Sequence, residues 1–164
     1  MAESVHLTLT GSRQGLIAGD STVTSLSRAN TIECVRFEQA SERGFDRATR
    51  RVTGRRFHGP IRVRKRVDRS SPPLRSALVH NETMTAVFRF YRPDPSGSGT
   101  TQQYFTITGA EGAITAVRLR TPDGLDPVLA LRPDEEEVEL VFGVHTWRYE
   151  DDGVEFEDHW DAQV

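Results

Sequence analysis

Hydrophobic side chains recur at every second position over long stretches of this chain, and that period confines it to sheet structure. Val5, Leu7 and Leu9 alternate with His6, Thr8 and Thr10. Met84, Ala86, Phe88 and Phe90 alternate with Thr85, Val87, Arg89 and Tyr91, and Val138, Leu140, Phe142 and Val144 with Glu139, Val141, Gly143 and His145. Successive side chains on a strand point to opposite faces, so alternation buries one face and wets the other. Between 83 and 91 both faces carry apolar residues, the pattern of a strand covered on both sides. Further strands are expected over 31–38, 57–64, 102–108, 113–120, 146–149 and 154–160.

Turn chemistry divides these runs. Residues 93–99 combine prolines with Gly97 and Gly99 and read as a hairpin tip, and Asp151-Asp152-Gly153 reads as a tight hairpin. The segment 121–133 carries three prolines and reads as a longer loop. The segment 39–56 is long, highly charged and apolar only at Ala40, Phe45, Ala48 and Val52, which predicts a long charged loop. One short helix is expected after Ser71, with Ser71 as its cap and Pro72 at its first position. Leu74, Ala77 and Leu78 share one face of it, and Asn81 is its stop. The fold class expected is mainly β: one small antiparallel barrel or sandwich over residues 1–164 with one short flanking α-helix.

The 164 residues suit a single domain with one core. No apolar run approaches the ~20 residues of a membrane span, and residues 1–5 lack the basic start and apolar stretch of a secretory signal. Export, if it occurs, is expected by a route that reads no such signal. The single cysteine, Cys34, excludes an intramolecular disulfide and a multi-cysteine zinc site and reads as a small buried hydrophobe.

Charge is unevenly spread. Residues 28–75 hold fourteen Lys/Arg against five Asp/Glu, and residues 121–164 hold two Arg against fourteen Asp/Glu. Three arrangements produce such asymmetry: strands of the two halves side by side, self-association of a basic end with an acidic end, or a surface for nucleic acid. The last is weakened because Phe45 and Phe57 are the only aromatics in the densest basic stretch, 43–69.

Catalytic patterns are thin. His58, Asp68, Ser70 and Ser71 lie close in sequence, but neither serine sits in a G-x-S-x-G elbow. His145 and His159 lack zinc-binding spacing, and the acidic runs 134–137 and 150–152 lack the order of a calcium loop. Gly97 and Gly99 precede no phosphate-binding helix start. Trp147 and Trp160 read as packing anchors. No enzyme activity, cofactor or metal is expected.

The stretch from Gly54 to Leu74 (GRRFHGPIRVRKRVDRSSPPL) resembles the central signature of the Hcp family, the tail-tube proteins of type VI secretion systems. That signature is a basic strand containing His and Pro, followed by an Asp-x-Ser-Ser-Pro-x-Leu helix start. It falls here on Gly54, Arg55, Arg56, His58, Pro60, Lys65, Asp68, Ser70, Ser71, Pro72 and Leu74. Residues 5–10, 88–92 with 103–107, and 136–142 with Thr146-Trp147 resemble further segments of the family in order, so the likeness spans nearly the whole chain. Gly109, where a longer apolar residue is expected, and the arginine-rich segment 43–56 depart from it.

The resemblance implies a small barrel with a helix on its side, a homohexameric ring, and rings stacked head-to-tail into an inner tube. The tube would be ensheathed, propelled by a contractile apparatus and shed into target cells, with effector cargo in its lumen. Sheath, spike and baseplate proteins would be partners; membrane and nucleic acid would not. The protein would reside in the bacterial cytoplasm before assembly and be secreted afterwards. In the family the long early loop reaches the neighbouring ring. Charge segregation then suggests that Arg43, Arg47, Arg50 and Arg51 face acidic residues of the adjacent ring, drawn from Asp134, Glu135, Glu136, Asp151 and Asp152. The alternatives are a nucleic-acid-binding β-barrel using the segment 43–69 and a hydrolase using His58 and Ser71.

Overall fold

Six antiparallel strands close on themselves, and the alternating residues line the inside. The structure, a computed structural model, describes residues 3–162. In chain order the elements are β1 (Ser4–Gly11), β2 (Gly15–Ile17), β3 (Ile32–Glu38), β4 (Ser41–Phe45), β5 (Val52–His58), β6 (Ile61–Arg66), α1 (Ser71–Val79), β7 (Met84–Pro93), β8 (Thr101–Arg120), β9 (Glu135–Tyr149) and β10 (Glu155–His159). The barrel runs β9-β6-β3-β1-β7-β8, and β8 pairs back onto β9 to close it. Closure removes the free edges that an open sheet would present. β2 adds to β1, β10 adds to β9, and β4 with β5 forms a separate two-stranded arm.

Leu7, Leu9, Ile32, Ile61, Val63, Met84, Ala86, Phe88, Ile107, Val138, Leu140 and Phe142 make the core, with Leu74 and Ala77 of α1 packed into it. Each large aliphatic or aromatic side chain buried this way is worth about 1.5–3 kcal/mol. Of the barrel and the sandwich that the alternation allowed, the chain forms the barrel, with one helix on its side.

Five features differ from the sequence reading. The predicted strands 102–108 and 113–120 are one 20-residue strand, β8. Glu111, at φ +52°, and register shifts opposite Met84 and at Ile114 absorb the irregularity without ending the pairing. Gly109 and Gly112 belong to the same solution: a Cβ there would lie 2.5 and 2.3 Å from the Phe142 ring, which fills the space they leave. Residues 138–149 likewise form one strand, β9, which carries Gly143 without turning. The predicted strand 57–64 breaks at Gly59-Pro60, where Pro60 has no N–H for a ladder and Gly59 donates to the Ala40 carbonyl at 2.9 Å.

The predicted loop 39–56 is mostly the β4–β5 arm, with Ser41 opposite His58 and Phe45 opposite Val52. It shows no hydrophobic period because neither face of its outer part is buried. Ser71 does not cap α1: it is the first helical residue, the cap position is Ser70, and no side-chain cap bond forms there. The stop at Asn81 is as read. Asn81 sits at φ +46°, its N–H donates to Leu78 at 3.2 Å, and the Glu82 N–H donates to Ala77 at 2.9 Å. That bond pair closes the exposed carbonyls of the last turn.

Candidate assembly interface

The uneven charge of the two halves is resolved along one seam. β6 lies antiparallel to β9, pairing Arg62 with Glu139, Arg64 with Glu137, Lys65 with Glu136 and Arg66 with Glu135. Arg62 reaches Glu139 at 2.9 Å and Arg64 reaches Glu135 at 3.3 Å. From the opposite side of β9, Arg118 of β8 meets Glu139 at 2.9 Å and Glu137 at 3.2 Å. These pairs are partly exposed, each worth ~0–1 kcal/mol. Strand-to-strand neutralisation within one chain is thus one way the basic and acidic halves meet, and it covers the β6 part of the basic segment 43–69 with carboxylates.

Inside the seam the chemistry changes. The Lys65 side chain is only 1 % exposed. Its ammonium donates to Glu136 Oε2 at 3.0 Å, to Ser71 Oγ at 3.2 Å and to the Arg66 carbonyl at 2.8 Å, with Asp68 Oδ1 at 3.0 Å. Ser71 donates its own proton to Glu136 at 2.6 Å and accepts from the Asp68 N–H at 3.1 Å. Arg75 takes the other Glu136 oxygen. Burial pushes the Glu136 carboxyl up, but the bonds from Ser71, Arg75 and Lys65 outweigh it and leave its pKa below the usual range. Asp68 also receives the Ser70 N–H at 2.9 Å. Lys65, Asp68, Ser70 and Ser71 of the signature are therefore a charged lock between the seam and α1, with Pro72 in the first turn and Leu74 in the core.

The other signature residues form a second lock at the root of the arm. Arg56 donates twice to Asp158 of β10, at 2.6 and 2.8 Å, and once to the His159 carbonyl at 2.6 Å. His58 bridges Asp158 at 2.6 Å and Ser41 at 2.9 Å. The Arg56 guanidinium, with His58 beside it, holds the Asp158 carboxyl down at about 2. Behind it His145 is stacked on Trp147, with ring centroids 5.6 Å apart, and Trp147 on Phe156 at 5.9 Å. The Trp147 N–H donates to Gln39 at 3.0 Å. Burial, reinforced by the neighbouring His58, lowers His145 to about 4. His58 and Ser71 thus sit in separate networks, so the pair that the hydrolase reading named does not form; the hydroxyl beside His58 is that of Ser41. Among the described residues no cluster of His, Cys, Asp or Glu is arranged to hold a metal ion.

Beyond the second lock the arm stands free. Every residue from 41 to 55 is exposed. Gly54 takes φ +73° in β5, where Val52 lies opposite Phe45 with the two side chains 62 % and 52 % exposed. Arg43, Arg47, Arg50, Arg51 and Arg55 make no ion pair among the described residues. The acidic residues named for the opposite surface fare unequally. Glu136 must be removed from it, because its carboxylate is buried against Lys65. Glu135 is engaged by Arg64 and Asp151 by Arg92 at 3.3 Å. Asp152 accepts from Val154 in its own turn, and Asp134 remains exposed.

Sequence reasoning missed two groups. Asp158, the keystone of the second lock, carried no signal beyond its place in an acidic stretch. Leu125, Val128 and Leu131, in the segment read as a plain loop, stand 94 %, 75 % and 94 % exposed; their spacing of three was the available sign.

Comparison with known proteins converges. Residues 6–149 match the family described as "Type VI secretion system effector, Hcp". The chain is 30 % identical to the major exported protein of Pseudomonas aeruginosa, an alignment covering 100 % of this chain and 99 % of that one. The structure of Hcp1 from the E. coli EAEC 042 pathovar superposes with a TM-score of 0.81 at 28 % identity, covering 97 % and 99 % of the two chains. A crystal structure titled Hcp protein superposes with a TM-score of 0.86 at 20 % identity, over 99 % and 100 %, a likeness of fold.

Proposed function

We propose a tube-building role from one premise: the chain belongs to the Hcp family of type VI secretion systems. Copies of the barrel close into six-membered rings, the rings stack head-to-tail into a hollow tube, and the tube is propelled and shed with cargo in its lumen. Sheath, spike and baseplate proteins surround and cap it. A cyclic ring needs two unlike surfaces of one chain to meet, and a stack of rings needs a second unlike pair.

The observation that carries this reading is the arm. A hairpin with an exposed apolar pair and arginines without ion pairs is held at its root by Arg56, His58 and Asp158, yet its tip makes no side-chain hydrogen bond or ion pair to another element among the described residues. A lock that fixes the direction of a segment with no such bond at its tip serves a contact with another molecule. The test is negative-stain electron microscopy with sedimentation velocity on the purified protein. Annular particles of six-subunit mass, stacking as concentration rises, are expected. Monomers throughout the concentration range overturn the reading.

A further inference from the structure

We propose that the acceptor for the arm is the 121–134 segment of a copy in the next ring, an inference that rests on the tube reading above. The segment joins β8 to β9, as Arg120 pairs with Glu135. It is built from successive turns: Leu129 and Ala130 N–H groups return to the Asp126 carbonyl at 3.1 and 2.8 Å. The Asp123 and Asp126 side chains accept from Leu125 and Val128 N–H groups at 2.9 and 2.8 Å. The turns are fixed internally, and they push three aliphatic side chains outward. Leu125 and Leu131 are the most exposed large hydrophobic residues described, each 94 %. An ordered segment that displays its aliphatics belongs at a contact.

Two properties select a second copy as the occupant. The first is complementarity. The arm carries Phe45 and Val52 among Arg43, Arg47, Arg50 and Arg51, and the segment carries its aliphatics among Asp123, Asp126 and Asp134. Both surfaces are apolar with a mixed rim of opposite net sign: Glu42 and Asp46 are outnumbered by arginines in the arm, and Arg132 is outnumbered by aspartates in the segment. The second is position. The arm leaves the start of β6, whereas the segment abuts the end of β6, where the Val67 N–H donates to the Asp134 carbonyl at 3.3 Å. The six residues of β6 separate them by roughly 20 Å at ~3.3 Å per residue. The Asp158 lock also ties the arm to β10, which pairs with residues 144–148 of β9, the half remote from the segment. One chain cannot join its own two surfaces, but a head-to-tail neighbour brings them together.

The test mixes two full-length proteins, both Cys34→Ser, one with Arg47→Cys and the other with Val128→Cys, under mild oxidation, beside a Leu125→Ser/Leu131→Ser double variant. A disulfide between the two different proteins that forms as tubes form, together with rings but no tubes from the double variant, is the expected result. Tubes that form without the disulfide, and that persist in the double variant, overturn this inference and leave the tube reading standing. A disulfide that forms equally in unstacked rings places the contact within the ring and overturns the inference too. Absence of rings and tubes from the unaltered protein, with no disulfide, removes the tube reading and this inference with it.

Discussion

The seam between β6 and β9 and the arm between β4 and β5 are built from the same basic stretch of sequence, and they use it in opposite ways. In the seam each basic residue meets a carboxylate across one rung of the ladder, and the innermost pair is out of water. In the arm the arginines outnumber Glu42 and Asp46 and have no partner strand of opposite sign. A run of like charge therefore has no meaning of its own; the strand it pairs with decides whether it closes a fold or remains for a partner. The comparison predicts that seam variants damage stability and arm variants damage assembly.

The largest effect belongs to the buried pair. Glu136→Ala leaves the Lys65 ammonium buried with Asp68 as its one remaining carboxylate, and a broken buried pair costs about 3–5 kcal/mol. Urea unfolding should show that loss at unchanged slope. A loss below about 1 kcal/mol would mean that the seam is no different from a surface pair and would erase the contrast with the arm. Next is Gly112→Val, which drives its side chain into the Phe142 ring and should cost about 1–3 kcal/mol through overpacking. The double variant Gly112→Val/Phe142→Leu should recover part of it, since the clash is with that ring.

Acid sharpens the comparison at the root of the arm. His145 is held neutral, at about 4 against 6.5 for a free imidazole, by burial first and by the charge of His58 second. Between those values the unfolded chain binds a proton that the folded chain refuses, so stability falls as pH drops from about 6.5 towards 4, by at most about 1.4 kcal/mol per pH unit. Asp158, held at about 2 by the Arg56 bond first, adds stability that is present above 3.8 and lost as pH falls through its folded value. His145→Phe keeps an aromatic face for Trp147 and should flatten the upper part of that curve. An unchanged slope would show that another group carries the titration.

The fold was legible where burial imposed a period. Leu7, Phe88 and Leu140 announced their strands because one face of each is inside. The arm was read as a loop because its outer faces are both wet, so Arg43, Phe45 and Arg47 show no alternation to detect. Gly109 stands where a longer apolar residue was expected and is instead the space that Phe142 occupies, a relation between positions far apart in sequence. The same is true of Asp158: its partners Arg56 and His58 lie some hundred residues away. The arginines of the candidate surface were found by their charge and by the place of the long early loop in the family the chain resembles. The buried Glu136 was misplaced there because a run of four acids, 134–137, hides which of them points inward; alternation along β9 sends Glu136 in with Val138.

The smallest effect on stability is the most informative about function. Arg47→Ser, Arg50→Ser and Arg51→Ser together remove three exposed charges that make no ion pair among the described residues, so unfolding should change by less than about 0.5 kcal/mol. The same variant should weaken ring stacking, and the stacking of the unaltered protein should weaken between low salt and about 0.5 M, where screening shortens to a few ångströms. Unfolding stability should respond far less to that salt, because the Lys65–Glu136 pair has no solvent between its charges. Salt thus acts on one region and spares the other. Stacking that is indifferent to salt while the arginine variant assembles normally would show that Phe45 and Val52 alone hold the arm in place, and that its charge is incidental.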